Sequence, residues 1–178
     1  LTEVKTVQEG MEGKNKLFDE YFKGMKGKNL ILIDTKEIKE KIQKDHPEFE
    51  NISIKKVYPK GIRIEADKYP PTANIINIVG EGQRKHIVNI VGLSILEEAE
   101  NPNLPYIKIQ SEEFLDAKSP LLAKEKLEYI IGAIGYFEDK LGMKVFDAEY
   151  LKKAREVHLK TEKYFYVWLD IQKPFEEQ

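Results

Sequence analysis

Two runs that alternate apolar with polar or charged side chains, Asn51 to Tyr58 and Ile62 to Tyr69, flank the turn Pro59-Lys60-Gly61. Period-two alternation puts every second side chain on one face of a strand, and a short break holding Pro and Gly brings the chain back beside itself, so this segment is predicted to be an antiparallel β-hairpin. Ile52, Ile54, Ile62, Ile64 and Ala66 fall on one face, and Ser53, Lys55, Arg63, Glu65 and Asp67 on the other. Such a sheet is covered on one side only. The cover comes from the residues before it. Leu17, Phe18, Tyr21, Phe22 and Met25 recur at helical spacing from Lys16 to Met25, punctuated by Gly24 and Gly27. After the apolar run Leu30 to Ile33, Asp34 and Glu37 have the spacing of an Asp-x-x-Glu capping box. They open a second helix that buries Ile38 and Ile42 and stops before Pro47. With a strand at Thr2 to Val7, the order is β-α-α-β-β.

Pro70-Pro71 interrupts strand hydrogen bonding and marks a boundary, giving a first domain over 1–72 and a second over 73–178. In the second, Ala73 to Val79 and Ile87 to Ile95 are predicted as paired strands around Gly80-Glu-Gly82. They carry the near-identical hexapeptides Ile75-Ile-Asn-Ile-Val-Gly80 and Ile87-Val-Asn-Ile-Val-Gly92. A polar loop, Glu97 to Asn103, leads to Leu104-Pro-Tyr-Ile107. Leu127, Ile130, Ile131, Ile134, Phe137 and Leu141 then mark a long amphipathic helix ending at Gly142. Val145 to Arg155 suits helix and strand equally. Val157 and Leu159 alternate before the turn Lys160 to Lys163, and Phe165, Val167, Leu169 and Ile171 alternate with Tyr164, Tyr166, Trp168 and Asp170. The fold class is therefore α+β twice over, the second domain having a mostly antiparallel sheet and one long helix. The strand Tyr164 to Ile171 is predicted to be the sheet's terminal edge, because the chain then leaves through Pro174 into the first turn of a helix at Phe175. An edge of this kind is a template for an added strand. Tyr164, Tyr166 and Trp168 are the candidate partner-binding residues. Packing beneath the long helix is the favoured position for their rings, with glycan stacking or anchoring of a protein partner as the alternatives.

Chemistry is sparse. The 29 basic and 31 acidic residues leave a net charge of −2, without the uncompensated positive field on which non-specific nucleic-acid binding rests. Absence of cysteine removes disulfides, thiol catalysis and thiolate metal ligands. No apolar run reaches about 18 residues, so no segment spans a bilayer. Gly80-Glu-Gly82-Gln-Arg-Lys85 is followed by strand-like residues and reads as a hairpin turn, not as a phosphate cradle opening a helix. His46, His86 and His158 are far apart, with no second histidine three or four residues from any of them, and Ser53, Ser94, Ser111 and Ser119 lack the hydrolase elbow. The lysines and arginine around the first hairpin, Lys55, Lys56, Lys60, Arg63 and Lys68, suit a solvated face better than a docking face. No catalytic residue, metal or cofactor is expected.

The stretch Gly27-Lys-Asn-Leu-Ile-Leu-Ile-Asp34, with its short helix, Pro47, and Ile52-Ser-Ile54-Lys-Lys56-Val-Tyr-Pro59-Lys-Gly-Ile62-Arg-Ile64-Glu through Pro70-Pro-Thr-Ala73, resembles the POTRA domain of the FtsQ/DivIB family of cell-division proteins. Ile54, Lys56, Pro59, Ile62 and Ile64 fill the family's hairpin positions. Lys56 replaces the usual arginine, and Lys68-Tyr69 stands where Glu-Arg is usual. His86 to Leu96 with Leu104-Pro-Tyr-Ile107 resembles the opening strands of that family's β domain, and the long helix followed by Arg155 to Ile171 its continuation. The resemblance implies a single-pass protein of the cell membrane at the division septum, with this region on the extracytoplasmic side. It implies a scaffold that recruits or regulates other division proteins at the C-terminal end of the β domain, with no small-molecule substrate. The first residue is Leu1, not Met, and the first ten residues do not resemble a signal peptide. The chain is expected to be a piece of a longer protein, with the membrane tether upstream of Leu1 and the family's last helix and closing strands after Gln178. One rival is a POTRA module of an outer-membrane assembly or secretion system; such domains come in tandem, and 73–178 does not repeat 1–72. The other is a small enzyme with a site near Gly80 to Lys85 or around His158, Asp170 and Glu176, for which no complete constellation is present.

Overall fold

The computed structural model describes residues 3–8, 11–12, 17–25 and 27–178. The chain forms two compact units, Leu1–Tyr69 and Pro70–Gln178. Both are α+β, with three α-helices in all among the described residues.

In the first unit the strands are β1 (Glu3–Gln8), β2 (Met11–Glu12), β3 (Phe49–Val57) and β4 (Gly61–Lys68), in the spatial order β2-β1-β4-β3. The hairpin β3–β4 is antiparallel from Val57↔Gly61 to Phe49↔Lys68, as its alternation requires, and β1 lies parallel to β4. The first strand is shifted one residue from its expected span, with Thr2 outside the described residues; β2 was not anticipated. The first helix is much shorter than its apolar spacing predicts: α1 spans Asp19–Phe22 and tightens into a 3₁₀ turn at Lys23–Met25. Gly24, and Gly27 at φ +84°, account for this, since glycine disfavours continued helix and supplies the left-handed backbone that ends it. Lys16 lies outside the described residues. The α2 helix (Thr35–Asp45) begins where expected, the Asp34 carboxylate accepting from the amides of Lys36 at 2.9 Å and Glu37 at 3.3 Å. Phe18, Phe22, Ile38 and Ile42 bury against Phe49, Ile52, Ile62, Ile64 and Ala66, while Ile54, expected in the core, is only partly buried on the outermost strand.

The second unit is a seven-stranded sheet in the order β11-β10-β9-β8-β5-β6-β7. Its strands are β5 (Pro71–Val79), β6 (Gly82–Asn89), β7 (Ser94–Glu97), β8 (Tyr106–Gln110), β9 (Val145–Leu151), β10 (Glu156–Thr161) and β11 (Tyr166–Asp170). Pairings are antiparallel except in the centre, where β5, β8 and β9 run parallel. The α3 helix (Lys124–Leu141) covers one face, burying Leu127, Ile130, Ala133 and Ile134 against Ile75, Ile107, Ala148, Val157, Leu159 and Leu169. It ends at Gly142 in the left-handed conformation. Val145 to Arg155 resolves as β9 and the turn after it. Phe175–Glu177 is a single 3₁₀ turn.

The expected strand Ile87 to Ile95 is two strands. Its apolar continuity conceals a turn closed by Asn89, whose side-chain oxygen accepts from the Leu93 amide at 3.0 Å, with Gly92 at φ +81°. The two hexapeptides thus do share a structural logic. Asn77 and Asn89 are both buried and both fix a loop, and the glycine three residues later has positive φ in each copy. Asn77 donates to Ser111 Oγ at 2.7 Å and accepts from Leu115 N at 2.8 Å.

Ile64→Ala removes a fully buried side chain and is predicted to cost about 2–5 kcal/mol in denaturant unfolding. Gly92→Ala is predicted to be far worse than Gly80→Ala. Both positions have positive φ, but a Cβ on Gly92 runs into the Leu122 carbonyl, whereas one on Gly80 meets open space. Gly80→Ala should cost about 1–2 kcal/mol, and parallel thermal melts of the two variants check the ranking.

Candidate functional site

The last strand is built by alternation. Val167 and Leu169 turn toward the core, and Tyr166, Trp168 and Asp170 toward the face that α3 does not cover. Register with β10 runs from Lys160↔Tyr166 to Glu156↔Asp170 without a bulge. The flanking bonds Thr161 N to Phe165 O, 3.1 Å, and Ile171 N to Arg155 O, 3.0 Å, fix the phase of the ladder. Antiparallel pairing alternates, so the main-chain groups of Val167 and Leu169 bond to β10 and those of Tyr166, Trp168 and Asp170 point away from it. Among the described residues no strand lies on that outer side.

One of those outer residues is nevertheless satisfied. Asp170 N–H donates to the Gln178 side-chain oxygen at 2.8 Å, and Asp170 C=O accepts from Gln178 Nε2 and from the Tyr129 hydroxyl, each at 3.1 Å. The Gln178 carboxamide thereby makes the two bonds that one residue of an added strand would make. It is brought there by the turn Phe175–Glu177, whose Phe175 ring lies 5.5 Å from Tyr129 and 5.7 Å from Tyr136 across Gly132, where a Cβ would press on the ring. Burial pushes the Tyr129 hydroxyl above its usual range. Tyr166 and Trp168 keep open main-chain groups.

Tyr164, Tyr166 and Trp168 are 79%, 54% and 69% exposed. The expectation that their rings pack beneath the long helix is therefore overturned. That side of β11 is supplied by Val167 and Leu169, and the pleat sends the aromatic residues the other way. Nor do the three form one row. Tyr164 lies before the strand, at φ +62° in the turn, with its ring 6.3 Å from that of Phe146. Trp168 stacks on His158, centroids 4.8 Å apart and planes 10° from parallel, and His158 Nε2 lies 2.8 Å from Glu156 Oε2. These contacts lie outside helical spacing. On a strand, residues two apart share a face, and Glu156 is two away from His158 on β10; His46 and Glu48 pair, 3.2 Å apart, across the turn at Pro47 between α2 and β3. Farther across the uncovered face, Lys108 bonds Asp147 at 2.9 Å and Gln110 bonds Glu149 at 2.8 Å.

The glycine-rich segment is the two-residue turn of the β5–β6 hairpin, closed by Val79↔Gly82 and leading into a strand. Among the described residues no group of three or more His, Asp and Glu side chains could hold a metal ion, and no helix is long and apolar enough to cross a membrane. No family model and no curated protein matches the chain.

Amide exchange should report the open edge. Val167 and Leu169 are predicted to exchange slowly and Tyr166 and Trp168 quickly, with Asp170 protected in the native chain and exposed in Gln178→Ala. Equal protection along Tyr166 to Asp170 would show that the outer side is occupied.

Proposed function

We propose that the protein is a non-enzymatic scaffold of the bacterial cell-division complex, of the FtsQ/DivIB type, held at the septal membrane and acting on its extracytoplasmic side. In this reading the first unit is its POTRA-like domain and the second its β domain, which takes an extended segment of another division protein as an added strand on β11. The β-α-α-β-β order of the first unit, with its capped second helix and hairpin, supports the reading; the extra strand β2 and the 3₁₀ turns are departures from it.

The observation that carries the proposal is the edge at Tyr166 and Trp168. Edge strands are ordinarily protected by charge, proline, bulges or brevity. At the other end of the sheet β7 has four residues, an irregular register against β6, and the pair Glu97-Glu98 at its end. The sequence of β11, Tyr-Val-Trp-Leu-Asp, carries no proline and no lysine, and it pairs with β10 without a bulge. Main-chain bonds from an added strand would supply affinity, and Tyr166 and Trp168 would flank its side chains and supply specificity.

The test compares two substitutions at one position in the full-length protein in cells. Trp168→Pro removes an outward-pointing N–H while leaving the bonds between β10 and the neighbouring residues, and Trp168→Ala removes the ring alone. Capture of division proteins by in-cell cross-linking should fall for Trp168→Ala and be abolished for Trp168→Pro, and a fluorescent fusion of the native protein should concentrate at the septum. A fusion spread evenly around the cell would overturn the division assignment. Undiminished capture by Trp168→Pro would overturn strand addition.

A further inference from the structure

At one end of the second unit's sheet the hydroxyl of a buried tyrosine accepts a hydrogen bond and donates none to the described residues. Tyr150, on β9, is 3% exposed and borders two adjoining clefts, of about 720 and 460 Å³. Lys126 Nζ donates to its hydroxyl at 2.7 Å. An ammonium has no lone pair with which to accept in return, so the Tyr150 O–H proton has no acceptor among the described residues. Polar groups at such depth are ordinarily paired, and this donor borders a cleft through which an acceptor can reach it.

The charge around it has the matching sign. The smaller cleft is bordered by Lys126, Lys152 and Arg155 and by one carboxylate, Glu125. Among the described residues none of the three cations lies within salt-bridge distance of a carboxylate. In the adjoining cleft Lys153 is paired with Glu112 at 3.0 Å. Lys152 and Arg155 both belong to the four-residue turn between β9 and β10. Arg155 closes that turn at φ +60°, a conformation in which glycine would be unstrained and a long side chain is uncommon.

We propose that this cleft binds a dianionic phosphate group, as in a phosphate monoester. Among the residues that border the cleft three cations stand against one carboxylate, an excess that favours a dianion over a monoanionic carboxylate. A tetrahedral oxyanion also accepts from several directions at once: a guanidinium fork, two ammonium groups and the phenolic O–H.

The experiment titrates inorganic phosphate into the protein at constant ionic strength and follows backbone amide shifts. Acetate is the monoanionic comparison, and vesicles containing phosphatidic acid are the lipid source of a phosphate monoester. Saturable shifts confined to the first turn of α3 and the β9–β10 turn are expected, with a dissociation constant of about 1 mM or below. Arg155→Gly should weaken binding about tenfold or more without lowering the melting temperature, because glycine suits the left-handed turn position. Lys152→Ala, on an exposed side chain, should weaken binding without affecting folding. The proposal is overturned by non-saturating shifts spread over surface lysines, by an equal response to acetate, or by unchanged affinity in Arg155→Gly. Vesicle binding without saturable binding of inorganic phosphate overturns it as well, since the contact would then be with membrane charge.

Discussion

The partner surface proposed on β11 depends on α3 covering one face of a seven-stranded sheet and no more. Leu127 and Ile130 are wholly buried, each stabilising the unit by about 1.5–3 kcal/mol before the cost of ordering the chain. The period of 3.6 in the helix meets the period of two in the strands along one plane. Val157, Leu159 and Leu169 are drawn to that plane, and the residues between them are pushed to the other. The uncovered face therefore holds Glu156, His158, Tyr166 and Trp168 by necessity of the pleat. Their exposure is the complement of the core, and the partner surface proposed on β11 is a by-product of how the core is made.

A sheet with three parallel strands at its centre needs long crossovers, and here those crossovers contain irregular loops whose main-chain groups must be satisfied. Buried asparagines do this. Asn74 donates to the carbonyls of Asn101 and Leu104, at 2.8 and 2.9 Å, and accepts from Asn101 N at 2.7 Å; Asn77 and Asn89 fix the loops at Leu115 and Leu93. An amide side chain carries both a donor and an acceptor, so one residue can satisfy loop carbonyls and a loop amide together. Gln178 performs the same service at Asp170, from the opposite end of the sheet. The asparagines thus tie down crossover loops, and at the β11 edge Gln178 serves Asp170 alone, leaving Tyr166 and Trp168 without such a substitute.

The parts legible in the sequence are those in which one local rule acts alone. Alternation gave the β3–β4 hairpin, the Asp34 cap gave the start of α2, and helical spacing with a terminal glycine gave α3. Legibility failed where two rules competed. Leu17 to Met25 has helical spacing, but Gly24 and Gly27 cut the helix to four residues and a 3₁₀ turn. Ile87 to Ile95 is apolar enough for one strand, yet Asn89 and Gly92 fold it in two. The candidate surface was half visible: Tyr166 and Trp168 could be placed on one face of a strand, but which face α3 would cover depends on the register of β10, which no local pattern records. The stacking of Trp168 on His158 was out of reach for the same reason, since those residues meet only through the pairing of two strands.

The two edges of the sheet are protected unequally. Beyond β7 the chain presents acidic residues, and Glu98 N bonds back to Lys85 O at 2.7 Å, drawing the segment after the strand onto β6. Beyond β11 the returning segment takes up only Asp170, with a single side chain. A strand joining β11 from the Tyr166 end meets two open residues and then Gln178, whose amide holds Asp170 through replaceable hydrogen bonds. Displacing that amide exchanges hydrogen bonds of one kind for others of the same kind, so the net cost is small compared with that of breaking β10 from β11. The edge is thus open over two residues and extensible to a third, a length that suits recognition by a short extended peptide better than by a broad folded surface.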